Sequence, residues 1–405
     1  MEDMTRCLSN VSVRTEGYDS LTVPVHRATT IRYPNAKEFA DRFDRGPDDY
    51  VYGLYGTPTH RYLEQKITDL EGGVRTVLAP SGQAAITSIM LHLLRVGERV
   101  LLPDTVYGPV RDFADHELVA LGISVAYYDP TDLRALQDDL DKGARLIWLE
   151  SPGSITMEMQ DFPAIVALAR AAGALVGCDN SWAGPLNFRP LDHGADVVVE
   201  ALSKNISGHS DVLMGSVTVR DDTLGVSLKA FMGRMGINAC ADDCVMVMRG
   251  IETLAVRLLQ ASRSAIEIAN WLEQRSEVKR VLHPELASDP GHQIWKRDFK
   301  GSAGVFGFEL TAAASEKLFE ALDSLEIISI GASWGGTKSL LAPSSLTGLR
   351  TATVWRGSEF VLRLSVGMEA TPDLIQDLSR FLDALRSTPE PVHAVSTCVE
   401  DAMKD

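Results

Sequence analysis

Cysteine, cations and long apolar runs are all scarce in this sequence. Its 405 residues include five cysteines, Cys7, Cys178, Cys240, Cys244 and Cys398. That number is odd and too small for a disulfide framework, so a reducing, cytoplasmic setting is expected. Cys240 and Cys244 lie close together, but no histidine pair or second cysteine pair accompanies them, and no metal is expected there. Apolar runs such as 146–149 and 197–199 are far shorter than the roughly 20 residues that cross a bilayer. The opening MEDMTRCLSN carries acids and no apolar stretch, so no export or membrane segment is expected. Lys and Arg total 39 against 55 Asp and Glu, a formal charge of −16. Such a surface repels phosphate backbones, and no basic stripe interleaved with aromatics offsets it, which argues against a nucleic-acid partner. One locally basic pocket is still compatible with that charge.

What is present is ordinary globular composition, 45% hydrophobic and 23% charged. At roughly 150 residues per domain the length allows two or three domains. Residues 1–50 read as an irregular arm, extended over 27–33 and with a short polar helix over 35–45. Residues 51–250 alternate short apolar strands, at 76–78, 99–102, 124–128, 145–149, 175–178 and 197–200, with helices at 84–95, 107–121, 133–140 and 161–172. Glycines follow several of those helices, where a left-handed cap is needed. The alternation predicts an α/β domain whose mostly parallel sheet is covered on both faces. Residues 251–405 read as a smaller α+β domain: a long helix over 250–275, strands at 278–282, 304–310 and 361–365, a helix near 372–386, and a polar tail.

Lys204 follows the very apolar strand that ends near residue 202. A buried lysine is costly, and Schiff-base chemistry is a leading reason to keep one; a strand-end lysine with its amine in water is the plainer alternative. Asp179 falls at the end of the preceding strand. Ligands of a parallel sheet bind beyond its strand ends. An acid and a lysine at neighbouring ends fit pyridoxal phosphate, the lysine holding the aldehyde and the acid keeping the ring nitrogen protonated. Asp179 could equally cap the turn that follows it. Ser81-Gly82-Gln83-Ala84 is a small turn at a helix start, suited to a phosphate or to simple capping. Tyr107 could stack on a cofactor ring or merely pack.

Together these pieces resemble one family, the Cys/Met-metabolism group of pyridoxal-phosphate enzymes, the cystathionine lyases and synthases. The resembling segments are 52–59 (YGLYGTPT), 81–84, 149–159 (LESPGSITMEM), 179–182, 203–204 with 208–211, 292–299 (HQIWKRDF), 333–336 (SWGG) and 362–364. They run in family order along nearly the whole chain, and 149–159 with 333–336 look like the β-lyase branch. The resemblance implies a PLP-dependent transferase (aminotransferase-like) fold with a seven-stranded sheet. It implies that Lys204 forms the internal aldimine and shuttles the substrate Cα proton, and that Asp179 pairs with the ring nitrogen under Tyr107. Gly82, Gln83 and Ser203 would hold the phosphate. Arg363 would clamp the substrate carboxylate beside Ser333 and Trp334. Tyr52 would reach the phosphate of a neighbouring subunit, in a homo-oligomer expected to be a tetramer. The implied reaction is a carbon–sulfur β-elimination on a small sulfur amino acid, L-cystathionine, giving homocysteine, pyruvate and ammonia.

Two departures bear on this. Leu54 stands where the family commonly has a phosphate-pairing arginine, with Arg61 as a candidate substitute, and Ala201 stands where many members have serine. They keep open a γ-lyase, another cysteine-S-conjugate β-lyase, an amino-acid racemase, or a non-catalytic regulatory homologue.

Overall fold

A computed structural model describes residues 16–17 and 20–386; the start of the expected arm and the polar tail from 387 lie outside the described residues. Seven strands, β1 (Arg75–Ala79), β2 (Arg99–Pro103), β3 (Ser124–Tyr128), β4 (Leu146–Glu150), β5 (Leu175–Asp179), β6 (Val197–Glu200) and β7 (Gly215–Val219), form one sheet. Their order is β1-β7-β6-β5-β4-β2-β3, parallel throughout except for β7, which runs antiparallel to β1 and β6. Successive side chains point to opposite faces. Val197 and Val199 join Ile86, Met90 and Trp148 on one side, while Val198 joins Phe162, Ile165 and Val176 on the other. Both faces are therefore apolar, and fully burying each such side chain contributes about 2 kcal/mol. The helices Gly82–Leu93, Gly108–Phe113, Leu133–Leu140 and Phe162–Ala171 connect the strands.

The expected strands and helices of this half are all present, but β7 was not expected. Its sequence, GSVTV, alternates small polar residues with valine, the period of a strand, but is too short and too rich in small residues to stand out. The polar side is accommodated inside the sheet, where Thr218 and Thr76 hydroxyls bond each other at 2.8 Å.

The long helix spans Ala241–Leu272 rather than 250–275. Gly250 looked like a helix boundary and is instead an interior residue: a Cβ there would lie 2.4 Å from the Ser207 carbonyl oxygen. The helix needs glycine at that point to approach the turn after Lys204. Beyond it a five-stranded sheet has the order β10-β11-β12-β9-β8, built from β8 (Val278–Leu282), β9 (Val305–Leu310), β10 (Ser329–Ile330), β11 (Leu340–Ser345) and β12 (Phe360–Ser365). β10 and β11 were also unexpected. Pro343 argues against a strand, yet β10 pairs only with Leu340 and Leu341, so Pro343 lies on an unpaired edge that tolerates it. Thr371–Arg386 closes the described chain as a helix.

In the arm, 27–33 forms no strand, and the helix is confined to Ala36–Ala40, where the Asn35 side chain accepts from the Glu38 N–H. Pro24 and His26 are tied to Thr59 at the start of the helix Pro58–Glu71, and Arg27 pairs with Asp242. Among the described residues no helix is long and apolar enough to cross a membrane.

Candidate active site

The ends of β4, β5 and β6 open into a cavity of about 930 Å³, closed on its far side by the turn before β11 and by β12. Gly82, Gln83, Tyr107, Asp179, Ser203, Lys204, Ser333, Trp334 and Arg363 all line it. Tyr52 does not; it is exposed at the edge of the short turn Gly53–Tyr55.

Lys204 sits in a tight turn after β6. Arg257 of the long helix donates to the carbonyls of Asn205 (2.8 Å) and Ile206 (3.1 Å), and Asn205 Nδ2 donates to the Trp182 carbonyl at 3.0 Å. With its backbone so tied, Lys204 directs Nζ into the cavity, where it donates to Ser333 Oγ at 2.5 Å and lies 5.4 Å from the Trp334 ring. Burial first, then the Arg363 charge, lower its pKa to about 8, against a smaller opposing pull from Asp179. A substantial share of free amine near neutrality follows, which suits a nucleophile and proton carrier.

Ser333 has a positive φ of 75° and Gly335 one of 84°. A Cβ on Gly335 would lie 2.9 Å from the Asn205 amide nitrogen, so this turn rests backbone against backbone on the lysine turn. A non-glycine residue held at positive φ stores strain of the kind found at working sites. The Ser333 carbonyl also accepts from Arg363 Nη2 at 3.2 Å. Burial lowers the Arg363 pKa, but a guanidinium keeps its charge.

Asp179 and Glu150 are register partners at the ends of β5 and β4. Glu150 Oε2 accepts the Tyr107 N–H at 2.8 Å, and Asp179 Oδ1 accepts the Ser181 N–H at 2.9 Å. Burial raises both carboxyls above their ordinary range, and the Asp179 charge pushes Glu150 further. The Tyr107 phenol is raised by burial and then by both acids, so it stays protonated. Two crowded carboxyls of this kind are ready to accept a positively charged ring nitrogen. The phosphate end fits too. Ser81 caps the helix Gly82–Leu93 by accepting the Ala84 N–H, leaving the Gly82 and Gln83 N–H groups of the first turn for an anion. A Cβ on Gly82 would meet the Ala201 methyl at 2.7 Å, so the small residue at 201 matches the glycine and leaves the cradle open. Ser203 Oγ is engaged with the Met214 backbone, donating at 3.1 Å and accepting at 2.9 Å, so its hydroxyl must turn to serve a phosphate. Gln83 Nε2 is committed to the Pro109 carbonyl, which leaves its backbone N–H as the phosphate donor.

Arg61 does not substitute for the arginine absent at Leu54. Its guanidinium is spent on Glu64 (2.7 Å), the Asp48 carbonyl (3.1 Å) and the Tyr55 carbonyl (2.5 Å), outside the cavity. Glu150 and Lys338 are among the cavity residues to which the sequence reading assigned no role. Glu150 lies within the 149–159 run at a strand end, the same signal that singled out Asp179. Lys338 also lines the cavity and sits in a loop whose sequence carries no comparable signal.

A family model described as Cys/Met metabolism PLP-dependent enzyme matches residues 5–383. The chain is 37% identical to cystathionine beta-lyase MetC of Escherichia coli (strain K12), over 87% of this chain and 91% of that protein. It is 35% identical to an L-alanine/L-glutamate racemase of Wolbachia pipientis wMel, over 90% of this chain and 93% of that one. A crystal structure of cystathionine gamma synthase from Xanthomonas oryzae pv. oryzae superposes with a TM-score of 0.84 at 30% identity, covering 92% of this chain and 95% of that chain. With a cavity that fits the cofactor and a family match over nearly its whole length, the chain belongs to the Cys/Met-metabolism PLP-dependent enzymes, and its cofactor is pyridoxal 5'-phosphate.

Proposed function

We propose that this enzyme is a carbon–sulfur lyase that cleaves L-cystathionine by β-elimination, releasing homocysteine, pyruvate and ammonia. The observation that carries the reading is that two cationic residues, Arg363 and Lys338, line the same cavity as Asp179 and Lys204. An amino acid with a carboxylate at each end matches two cations in one cavity. The 37% identical cystathionine beta-lyase relative supports the same choice.

Bound pyridoxal phosphate supplies the electron sink that makes the substrate Cα–H acidic. The Gly82 and Gln83 N–H groups, with Ser203, would hold its phosphate, Asp179 would keep the ring nitrogen protonated, and Tyr107 would flank the ring. Arg363 grips the substrate α-carboxylate through two parallel N–H bonds, while its link to the Ser333 carbonyl fixes its direction. Lys204, whose amine lies in the cavity beside Ser333, would take the proton from the substrate Cα. The departing thiolate leaves from Cβ, and the Trp334 ring lies 5.4 Å from the lysine amine that moves the proton. Tyr52, exposed on its own chain, reaches the phosphate of a neighbouring subunit in a homotetramer.

A second reading, racemisation, is favoured by the 35% identical racemase relative and needs the same lysine but no bond cleavage at Cβ. Incubation with L-cystathionine discriminates. Pyruvate as the main keto acid supports β-elimination. A predominance of 2-oxobutyrate, or D-alanine formation from L-alanine outpacing pyruvate release, overturns it.

A further inference from the structure

Behind the cavity floor two carboxyls meet in a dry interior. Glu71 ends the helix Pro58–Glu71 and Glu200 ends β6; they are 0% and 1% exposed. Glu200 Oε1 accepts a hydrogen bond from Asn180 Nδ2 at 2.9 Å. Its Oε2 and both oxygens of Glu71 have no donor, yet the two carboxyls lie within hydrogen-bonding reach of each other. Acceptor against acceptor is untenable for two anions away from water, whereas one proton between them turns one oxygen into a donor and halves the charge.

The surroundings reinforce this. Arg189 draws the Glu71 proton off, but Asp192 opposes it, and Glu71 also sits at the negative end of its helix dipole. Asp179 adds repulsion at Glu200, and the Cys178 thiol of β5 beside them is pushed up by burial and by the surrounding acids, so it contributes no charge. Burial is the largest cause for both glutamates, and it raises both.

The pair is also joined to the site. Asn180 follows Asp179, and its Nδ2 holds both Glu200 and the Phe188 carbonyl (3.0 Å), while its N–H donates to the Val199 carbonyl at 3.0 Å. The Ala201 N–H donates to Ser181 Oγ at 2.8 Å, and the Ser181 N–H holds Asp179. The Asp179–Asn180–Ser181 turn is thus fastened to the segment that carries Glu200.

We propose that Glu71 and Glu200 share a single proton, and that this half-neutralised pair acts through Asn180 as a positioning strut for Asp179. The second part rests on the reading of Asp179 as the ring-nitrogen partner. A second full negative charge beneath the turn would raise the proton affinity of Asp179 and favour its neutral form, which cannot pair with a cationic ring nitrogen. The linkage has a definite sign. The folded protein keeps a proton that the unfolded chain loses in the ordinary carboxyl range, so the stability from the pair is complete in acid and falls as pH rises through the folded value.

Three measurements on the full chain test this. In infrared difference spectra at about pH 7, the wild type should show a protonated-carboxyl stretch that is lost in both Glu71→Gln and Glu200→Gln. Between about pH 6 and about pH 9 the wild-type melting temperature should fall by several degrees more than that of Glu71→Gln. Absence of the stretch, or parallel melting profiles, overturns the shared proton; either glutamine variant suffices if the other fails to fold. Equilibrium dialysis with pyridoxal phosphate tests the strut. Glu200→Gln, which keeps the acceptor for Asn180 and offers Glu71 a donor, should stay within about threefold of wild type, whereas Glu200→Ala should bind about tenfold or more weakly. Equal weakening in both overturns the strut. Failure of the Asp179 reading has its own signature: Asp179→Asn would then leave the affinity unchanged, while the infrared and melting results would stand.

Discussion

The cavity has two walls of opposite character. The floor, at the ends of β4, β5 and β6, gathers Glu150, Asp179 and, behind them, Glu200 and Glu71, whose carboxyls burial pushes upward. The opposite wall, from the turn before β11 and from β12, presents Ser333, Trp334, Lys338 and Arg363. The floor is short of positive charge, and Glu71 and Glu200 beneath it are buried from water. The wall is wetter and carries cations that no carboxylate of the described chain neutralises at salt-bridge distance. A molecule with a cationic ring nitrogen belongs on the floor, and one with free carboxylates belongs against the wall. Lys204 stands between them, rooted in the floor but hydrogen-bonded to the wall through Ser333. The net charge of −16 describes the outside; inside the cavity the two signs are sorted by face.

Removing the link between the walls should have the largest effect. Lys204→Ala is expected to lower turnover of L-cystathionine by about 10³-fold or more, since it removes both the covalent anchor and the proton carrier. The visible absorbance of the lysine-bound cofactor should vanish with it. Retention of both would show that the two walls are joined by another residue. Arg363→Ala comes next. Loss of a bidentate carboxylate clamp in a half-buried site should cost about 10²-fold in kcat/KM, carried mainly by KM. The cofactor absorbance should persist, because the floor is untouched. A loss of cofactor in this variant would contradict the separation of the walls.

The same linking residue gives a pH test. Because the free-enzyme Lys204 pKa is lowered to about 8, the share of free amine grows about tenfold per pH unit below that point and levels off above it. Cofactor recapture by the apoenzyme, followed by stopped-flow absorbance, should rise with that slope and flatten near the same pH. A rise continuing toward the ordinary lysine range would mean that neither burial nor Arg363 acts on the amine.

The two walls were unequally legible in the sequence. The floor could be read because strand–helix alternation is a strong periodic signal, and residues at parallel strand ends face the ligand side. Asp179 and Lys204 followed from that rule, and Glu150 obeys the same rule although it was not singled out. The wall was not legible from pattern. β11 carries Pro343 and pairs on one side with β10 at only two residues, so its strand character comes from tertiary pairing. Ser333 and Arg363 were reached through family resemblance, and Lys338 had neither route. Gly250 and Gly335 show why such positions resist local reading: each glycine is required by a backbone distant in sequence, and local propensity cannot report that contact. The Glu71–Glu200 contact is likewise tertiary, since one carboxyl ends a helix and the other a strand far along the chain.

Lys338 yields the smallest effect and the finest division within the wall. Its neighbours are fixed: the Thr337 carbonyl accepts the Met368 N–H at 2.8 Å, and Ser339 is held by both oxygens of Glu369, each at 2.8 Å. Lys338 itself is exposed and lines the cavity between those anchors. Since Ala342 pairs with Arg363, Lys338 lies four residues along the same strand direction, at most about 14 Å from that register position. Two long cationic side chains at such a spacing can each reach one end of a substrate with two carboxylates. Exposure limits the gain, because an ammonium in contact with water contributes little to a single ion pair. Lys338→Gln should therefore raise KM for L-cystathionine only about threefold to tenfold, with little change in kcat. Relative to S-ethyl-L-cysteine, which lacks the distal carboxylate, the preference for cystathionine should fall by the same factor. If both substrates weaken together, Lys338 supports the wall without reading the substrate, and Arg363 alone would account for its recognition of carboxylates.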